Sequence, residues 1–316
     1  MLFDEKINNL IFWEHSNNTQ NDELIKILFV SRTKNILDKI ISNLSKFAPH
    51  FTHQVYFYAL DCSSKELSEY IRQGYIIVHL EQDLNGFFDQ IQSISQENGP
   101  DVKVISNTVD QSFLKAMPDT DFIGFQRHQI GKAVLHTVDT NSLGSCSLGL
   151  IKNNHVDLEP IMRTIEYVHF EPSSGRHAEW PGIQNILPTG LSVEEICQIF
   201  RYAGSSYQIN YLSIDRSLNL EAAPECFVST AIALWYFLEG IESRTFRNDI
   251  SLSGFQEFVL SVKDIEESLV FGFSTGDGKW WVRVDQSDRM VPCSKDDYEK
   301  ASKGLLTDRL FRKLFT

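Results

Sequence analysis

Positive charge, paired cysteines and long apolar runs are all in short supply here, and each shortage removes a class of function. Lysine and arginine number 29 against 42 aspartates and glutamates, a net charge of −13. An acidic surface repels phosphate backbones and anionic lipid, which argues against nucleic acid and membrane surfaces as partners. It leaves room for a cationic ligand or a basic protein patch, and in its simplest role it keeps the chain in solution. The five cysteines, Cys62, Cys146, Cys197, Cys226 and Cys293, are odd in number, widely spaced and free of any CxxC. Reduced, mostly buried thiols of a cytoplasmic protein are therefore expected. No apolar run reaches the roughly 18 residues that a membrane span needs. The opening MLFDEKINNLIFWEH is acidic and lacks the basic start of a secretory signal. There is also no GxSxG, no P-loop and no GxGxxG, which removes the common hydrolase, nucleotide and dinucleotide readings.

What is present is alternation. Short β-rich runs fall at Ile25 to Val30, Gln54 to Leu60, Tyr75 to Leu80 and Val102 to Ser106, and again at Phe122 to Phe125, Tyr167 to Glu171 and Tyr211 to Ile214. Helical spacing of apolar residues lies between them, over Thr33 to Phe47, Ser64 to Gln73 and Phe87 to Ile94, then over Ser192 to Tyr202 and Cys226 to Ile241. Continuous apolar strands separated by helices predict a mostly parallel sheet covered on both faces, a three-layer α/β/α sandwich. Ser192 with Glu195 forms a capping box that opens one helix, and Gly204 is placed to close it. The 22 phenylalanines are expected where the layers meet.

The last 60 or so residues change character. Phe255 to Val262, Leu269 to Phe273 and Trp280 to Val284 read as adjacent antiparallel strands, with the Asp-Gly of STGDGK as a turn. A basic amphipathic segment, Lys300 to Phe315, follows; it suits docking on the protein's own sheet or, alternatively, a partner surface. The expected organisation is a core over 1–254 with a C-terminal extension over 255–316 packed on it.

From Phe122 onward the order of features resembles the arginase superfamily, in particular a formimidoylglutamase-like branch that carries a C-terminal extension. The resemblance is carried by IGFQRHQIG, by SLGLIKNNHVDLEPIMRTIEYVHFE, by LPTGLSVEEICQIFRYAG, by ALWYFLEG, and by the tail WWVRV…VPCSKDDYEKASKG…DRLFRKLF. It implies an arginase-like sheet with site loops at the carboxyl ends of strands. It also implies a pair of divalent metals, usually manganese, about 3.5–4 Å apart, that acidify a shared water. Carboxylates and imidazoles are the ligands such ions require.

Set against the family's motifs, this sequence departs at most ligand positions. The glycine pair followed by a ligand His becomes HLEQD, with His79 and Leu80 at the glycines and Gln82 at the ligand. The D-x-H-x-D motif becomes SNTVD, giving Ser106, Thr108 and Asp110. The S-F-D-x-D motif becomes HFEPS, giving Glu171 and Ser173. The family's acidic residue before its Gly-Gly-Leu turn falls at Leu187, and only Gly190 of that turn remains. Two strong ligands, Asp110 and Glu171, survive of six, and no alternative G-G-x-H or D-x-H-x-D exists in the front half. The expectation is a pseudoenzyme with no catalytic residues and no cofactor, acting through a protein partner or a second copy. The alternative is a manganese-dependent hydrolase of non-peptide C–N bonds, and any single remaining ion would sit on Asp110 and Glu171. Without a metal, these two carboxylates should be kept apart or bridged by His169, Thr108 or Arg176.

Three further groupings have simpler explanations. His79, His169 and His177 could form a new mononuclear site, but nothing in their spacing brings them together. Cys146 with His136 as base has no feature that joins the pair. TGDGKWW could be a ligand-binding turn, but a hairpin with two sheet tryptophans explains it.

Overall fold

The computed structural model describes residues 10–12, 25–47, 54–58, 62–95, 99–141, 144–153, 158–183, 187–218, 222–244, 255–262, 265–285, 287 and 289–315. The first half runs β1 (Leu10–Phe12), β2 (Lys26–Val30), α1 (Lys34–Leu44), β3 (Gln54–Tyr58), α2 (Ser64–Arg72), β4 (Tyr75–Leu80), α3 (Leu84–Ile94), β5 (Val102–Ile105), α4 (Gln111–Ala116), β6 (Asp121–Phe125) and α5 (Lys132–Asn141). The second half runs β7 (Cys146–Ser147), α6 (Leu148–Asn153), α7 (Leu158–Met162), β8 (Tyr167–Phe170), α8 (Val193–Ser205), β9 (Tyr211–Ile214) and α9 (Pro224–Glu242). The C-terminal part adds β10 (Phe255–Leu260), β11 (Leu269–Ser274), β12 (Trp280–Val284), β13 (Val291–Cys293), α10 (Lys295–Ala301) and α11 (Asp308–Phe315).

The strands of the main sheet lie in the order β1-β3-β2-β4-β9-β8-β5-β6-β7. Every neighbouring pair is parallel except β1 with β3, which is antiparallel at the edge. Side chains alternate across the sheet with period two, so each strand feeds both faces. In β4, Ile76, Val78 and Leu80 enter the layer under α1, α8 and α9, while Ile77 enters the layer under α2, α3 and α4. Two separate apolar layers result, which is the predicted three-layer sandwich. Aromatic rings fill them as expected: Phe170 meets Phe200 at 5.1 Å and Trp180 at 5.6 Å, and Phe87 stacks near Phe113.

The capping box at Ser192 and Glu195 opens α8 as the sequence predicts. Gly204 does not close that helix. It lies inside α8 where α9 crosses, and a Cβ there would fall 2.0 Å from the Phe237 carbonyl oxygen. The glycine is required by a close backbone approach, not by a left-handed cap. Gly240 on α9 answers it from the other side, 2.2 Å from the Arg201 carbonyl by the same measure.

The C-terminal strands form their own antiparallel sheet, β10-β11-β12-β13. The STGDGK segment is a hairpin connection, with Gly278 at φ +71°. Trp280 packs into an aromatic cluster with Tyr298 at 4.8 Å and Phe258 at 5.6 Å, so these rings are core and not ligand walls. The segment Lys300 to Phe315 is not one helix. Gly304, at φ +81°, breaks it, and only α11 carries the amphipathic stripe, with Leu310 buried. No disulfide joins the five cysteines, and Cys197, Cys226 and Cys293 are buried. Among the described residues no helix is long and apolar enough to cross a membrane.

Candidate functional site

The sheet order sets β4, β9, β8 and β5 side by side, and their carboxyl ends carry most of the expected positions. Backbone hydrogen bonds continue the ladder just past the strands. Gln82 donates its N–H to Ile214 O (3.0 Å), Asp215 to Phe170 O (2.9 Å), Glu171 to Ile105 O (2.9 Å) and Ser106 to Ile123 O (3.0 Å). Gln82, Asp215, Glu171 and Ser106 are thereby held in one row. Open α/β sheets place their ligands outside this edge.

Glu171 is the centre of the row. Its carboxylate accepts a hydrogen bond from Ser106 Oγ at 2.6 Å and a longer one from Ser173 Oγ at 3.5 Å. Burial pushes its pKa up to about 7; the Ser106 bond works against that, and the charges of Asp215 and Asp110 add to it. Ser106 Oγ also accepts from the Thr108 N–H at 3.2 Å, while the Thr108 side chain is exposed. Asp110 is turned to a local task. It is the N-cap of α4, and its Oδ1 accepts from the Phe113 N–H at 2.7 Å. The two carboxylates are engaged separately: the side-chain donors on Glu171 are serines rather than His169, Thr108 or Arg176, and Asp110 takes the Phe113 N–H. His169 is engaged with Ser213, and Arg176 with Glu179 at 3.3 Å.

The strand residues leading into this row are buried in the sheet's two faces. His79 is 4% exposed, and its Nδ1 lies 2.5 Å from the Tyr211 hydroxyl. Leu80 is wholly inside the apolar layer. His169 is fully buried, paired through Nδ1 with Ser213 Oγ at 3.0 Å and stacked on Phe87 at 5.1 Å. Burial holds its pKa down to about 4, against the pull of Asp215 and Asp83. Its Nε2 has no hydrogen-bond partner among the described residues, with Asp215 Oδ2 3.9 Å away, and the buried Oε1 of Gln82 has none either. The Gln82 amide lies over Gly86, where a Cβ would come within 2.4 Å of its Nε2.

Between Leu80 and Gln82 the chain passes through Glu81 at φ +65°, a left-handed conformation that is costly for a residue with a side chain. Three hydrogen bonds hold it there. The Glu81 carboxylate accepts from Ser31 Oγ (2.6 Å), Thr33 N–H (2.8 Å) and Thr33 Oγ1 (2.9 Å). The turn that presents Gln82 is thus tied to the start of α1.

The other groupings are dispersed. His177 is exposed on the loop after β8, while His79 and His169 each pair with a separate hydroxyl. Cys146 opens β7 with its Sγ toward Gly144 O at 3.5 Å, and His136 is exposed on α5. Among the described residues no group of three or more His, Cys, Asp or Glu side chains converges to hold a metal ion. Sequence reasoning missed Asp215, Asp83 and Glu81. Asp215 carried a usable signal, since it is the first residue beyond the strand YLSI.

No family model matches the sequence. No curated protein matches it. Solved structures do. Formimidoylglutamase from Bacillus subtilis aligns over 72% of this chain and 90% of its own, with a TM-score of 0.53 and 11% identity. A Trypanosoma cruzi formiminoglutamase, oxidised and with Mn2+2 at pH 6.0, aligns over 72% of this chain and 96% of its own, with a TM-score of 0.56 and 10% identity. Arginase from Bacillus cereus aligns over 67% of this chain and 98% of its own, with a TM-score of 0.53 and 8% identity. Nearly the whole of each of those proteins is spanned, so the likeness is one of complete architecture: this chain has the arginase–formimidoylglutamase superfamily fold.

Proposed function

We propose that this chain is a non-catalytic protein of arginase-like fold that acts through protein contact, with a partner or with a second copy, in the cytoplasm. Residues 1–254 form the arginase-like unit in this reading, and 255–316 the extension. The observation that carries it is the fate of the two carboxylates. Asp110 caps α4, and Glu171 is half-buried and accepts from two serine hydroxyls, with no cationic side chain bonded to it among the described residues.

The remaining four positions, Gln82, Ser106, Thr108 and Ser173, are neutral. A pair of dications about 3.5–4 Å apart requires several carboxylates and imidazoles to offset its charge. These residues do not fit a manganese pair. His79 and Leu80 also occupy volume that the family leaves to glycine, where backbone and ligand approach closely.

The test is direct. With manganese in excess, arginine, agmatine and formimidoylglutamate are each expected to release no urea or formamide above a buffer blank. Turnover that disappears in an Asp110→Asn variant would contradict this reading and favour the metal-dependent hydrolase instead.

A further inference from the structure

The C-terminal sheet and the main body have separate apolar cores. The interior of the C-terminal sheet is closed on itself: Leu269, Phe271, Val282, Cys293 and Leu310 pack together in a cluster that contains no residue from before 258. The two apolar layers of the main sheet likewise contain none from after 241.

The contacts that cross the joint are chiefly polar, although Val270 and Trp281, 3% and 4% exposed, are buried on the sheet face opposite that core. Arg163, just after α7, is 3% exposed. Its guanidinium donates to the Trp280 carbonyl at 2.5 Å and to the Cys293 carbonyl at 3.4 Å, and lies 4.9 Å from the centre of the Trp281 ring. Its other edge is paired with Glu159 one helical turn back, with Nε donating to Oε1 at 2.9 Å.

Beside it, Lys103 on β5 is buried between Asp101 and Asp121, a cluster of one cation and two anions. That net negative charge faces Lys313 and Arg309 of α11 across a cavity of about 30 Å³. The cavity has room for about one water.

We infer that residues 255–315 are a releasable module, latched onto the amino-terminal edge of the parallel sheet by Arg163 and by the attraction of Lys313 to the Asp101–Lys103–Asp121 cluster. Both halves of the latch keep their charges compensated when open. Arg163 retains Glu159 on its own side, and Lys103 retains both aspartates, since all of these belong to the main body. On release the module gives up the backbone-carbonyl contacts to Arg163, the Trp281 ring stacked on it, the Lys279–Glu159 ion pair at 3.9 Å and one facing cation. Polar joints between separately cored units move as a rule, whereas large apolar ones do not. The inference does not depend on whether the chain is catalytic.

Hydrogen exchange on the full chain tests it, in Arg163→Met and Lys313→Glu variants. Peptides covering α7 and β13 are expected to exchange about tenfold faster in each, while β11 in the module and β4 and β9 in the main sheet stay as protected as in the parent. Should Arg163→Met fail to fold, Lys313→Glu decides alone, because that position is exposed. Equal acceleration in all three regions would make the chain one cooperative unit and overturn the inference. No acceleration at α7 and β13 in a folded variant would overturn it as well.

Discussion

Glu171→Gln is expected to stabilise the protein at alkaline pH and to leave it unchanged near pH 4. The folded-state pKa of Glu171 is raised from 4.5 to about 7, so folding favours the protonated carboxyl. The stabilisation that this supplies is fully present below about pH 4.5 and is lost as pH rises through about 7. Ionisation of the half-buried group then costs the native protein about 3 kcal/mol. Glutamine cannot ionise, and its amide oxygen can still accept from Ser106. Denaturant unfolding of both proteins at about pH 4 and pH 9 reads the difference. The glutamine variant should be more stable at the higher pH by most of that amount. Equal or lower stability there would mean that a cation compensates the carboxylate, which is what an active metal site would do.

The second large effect is expected at Lys103. Burial works to lower the pKa of its ammonium, and Asp101 and Asp121 outweigh it and hold the pKa above the usual lysine range. Burial also acts to raise Asp101, yet Lys103, with help from Lys313, brings it below the usual carboxylate range. Each carboxylate is tolerated because the cation is there. Lys103→Met leaves two buried anions facing each other and should destabilise the fold by about 3–5 kcal/mol at neutral pH. Adding Asp101→Asn and Asp121→Asn should return most of that loss, since a neutral cluster has no charge left to solvate. A loss below about 1 kcal/mol in the single variant would show that water reaches the cluster.

How much of this was legible in the sequence follows from which forces are local. Runs such as YIIVHL and YLSI are apolar on both faces, and only a strand covered on both sides tolerates that. They were correctly read as parallel strands with nearly the observed ends. Very short elements carry no such pattern. β7 has two residues and β13 three, and both escaped.

Gly204 was misread because a glycine near a helix end looks the same whether it turns the chain or admits a neighbouring backbone; only the α8–α9 crossing distinguishes the two. Nothing in the strand VKVIS singles out Lys103. Its partners Asp101 and Asp121 come from a strand entrance and a neighbouring strand, so the cluster exists only in three dimensions. At the site, the neutral residues at Gln82, Ser106, Thr108 and Ser173 could be read directly. That Asp110 caps a helix while Glu171 pairs with serines could not, because it depends on which oxygen meets which donor.

The most direct measurement is anomalous diffraction from crystals grown with manganese in excess. No pair of manganese peaks is expected beside Asp110 and Glu171, with Glu171 still hydrogen-bonded to Ser106. Two strong peaks there, about 3.5–4 Å apart, with Asp110 swung away from the Phe113 N–H to ligate them, would contradict the non-catalytic reading.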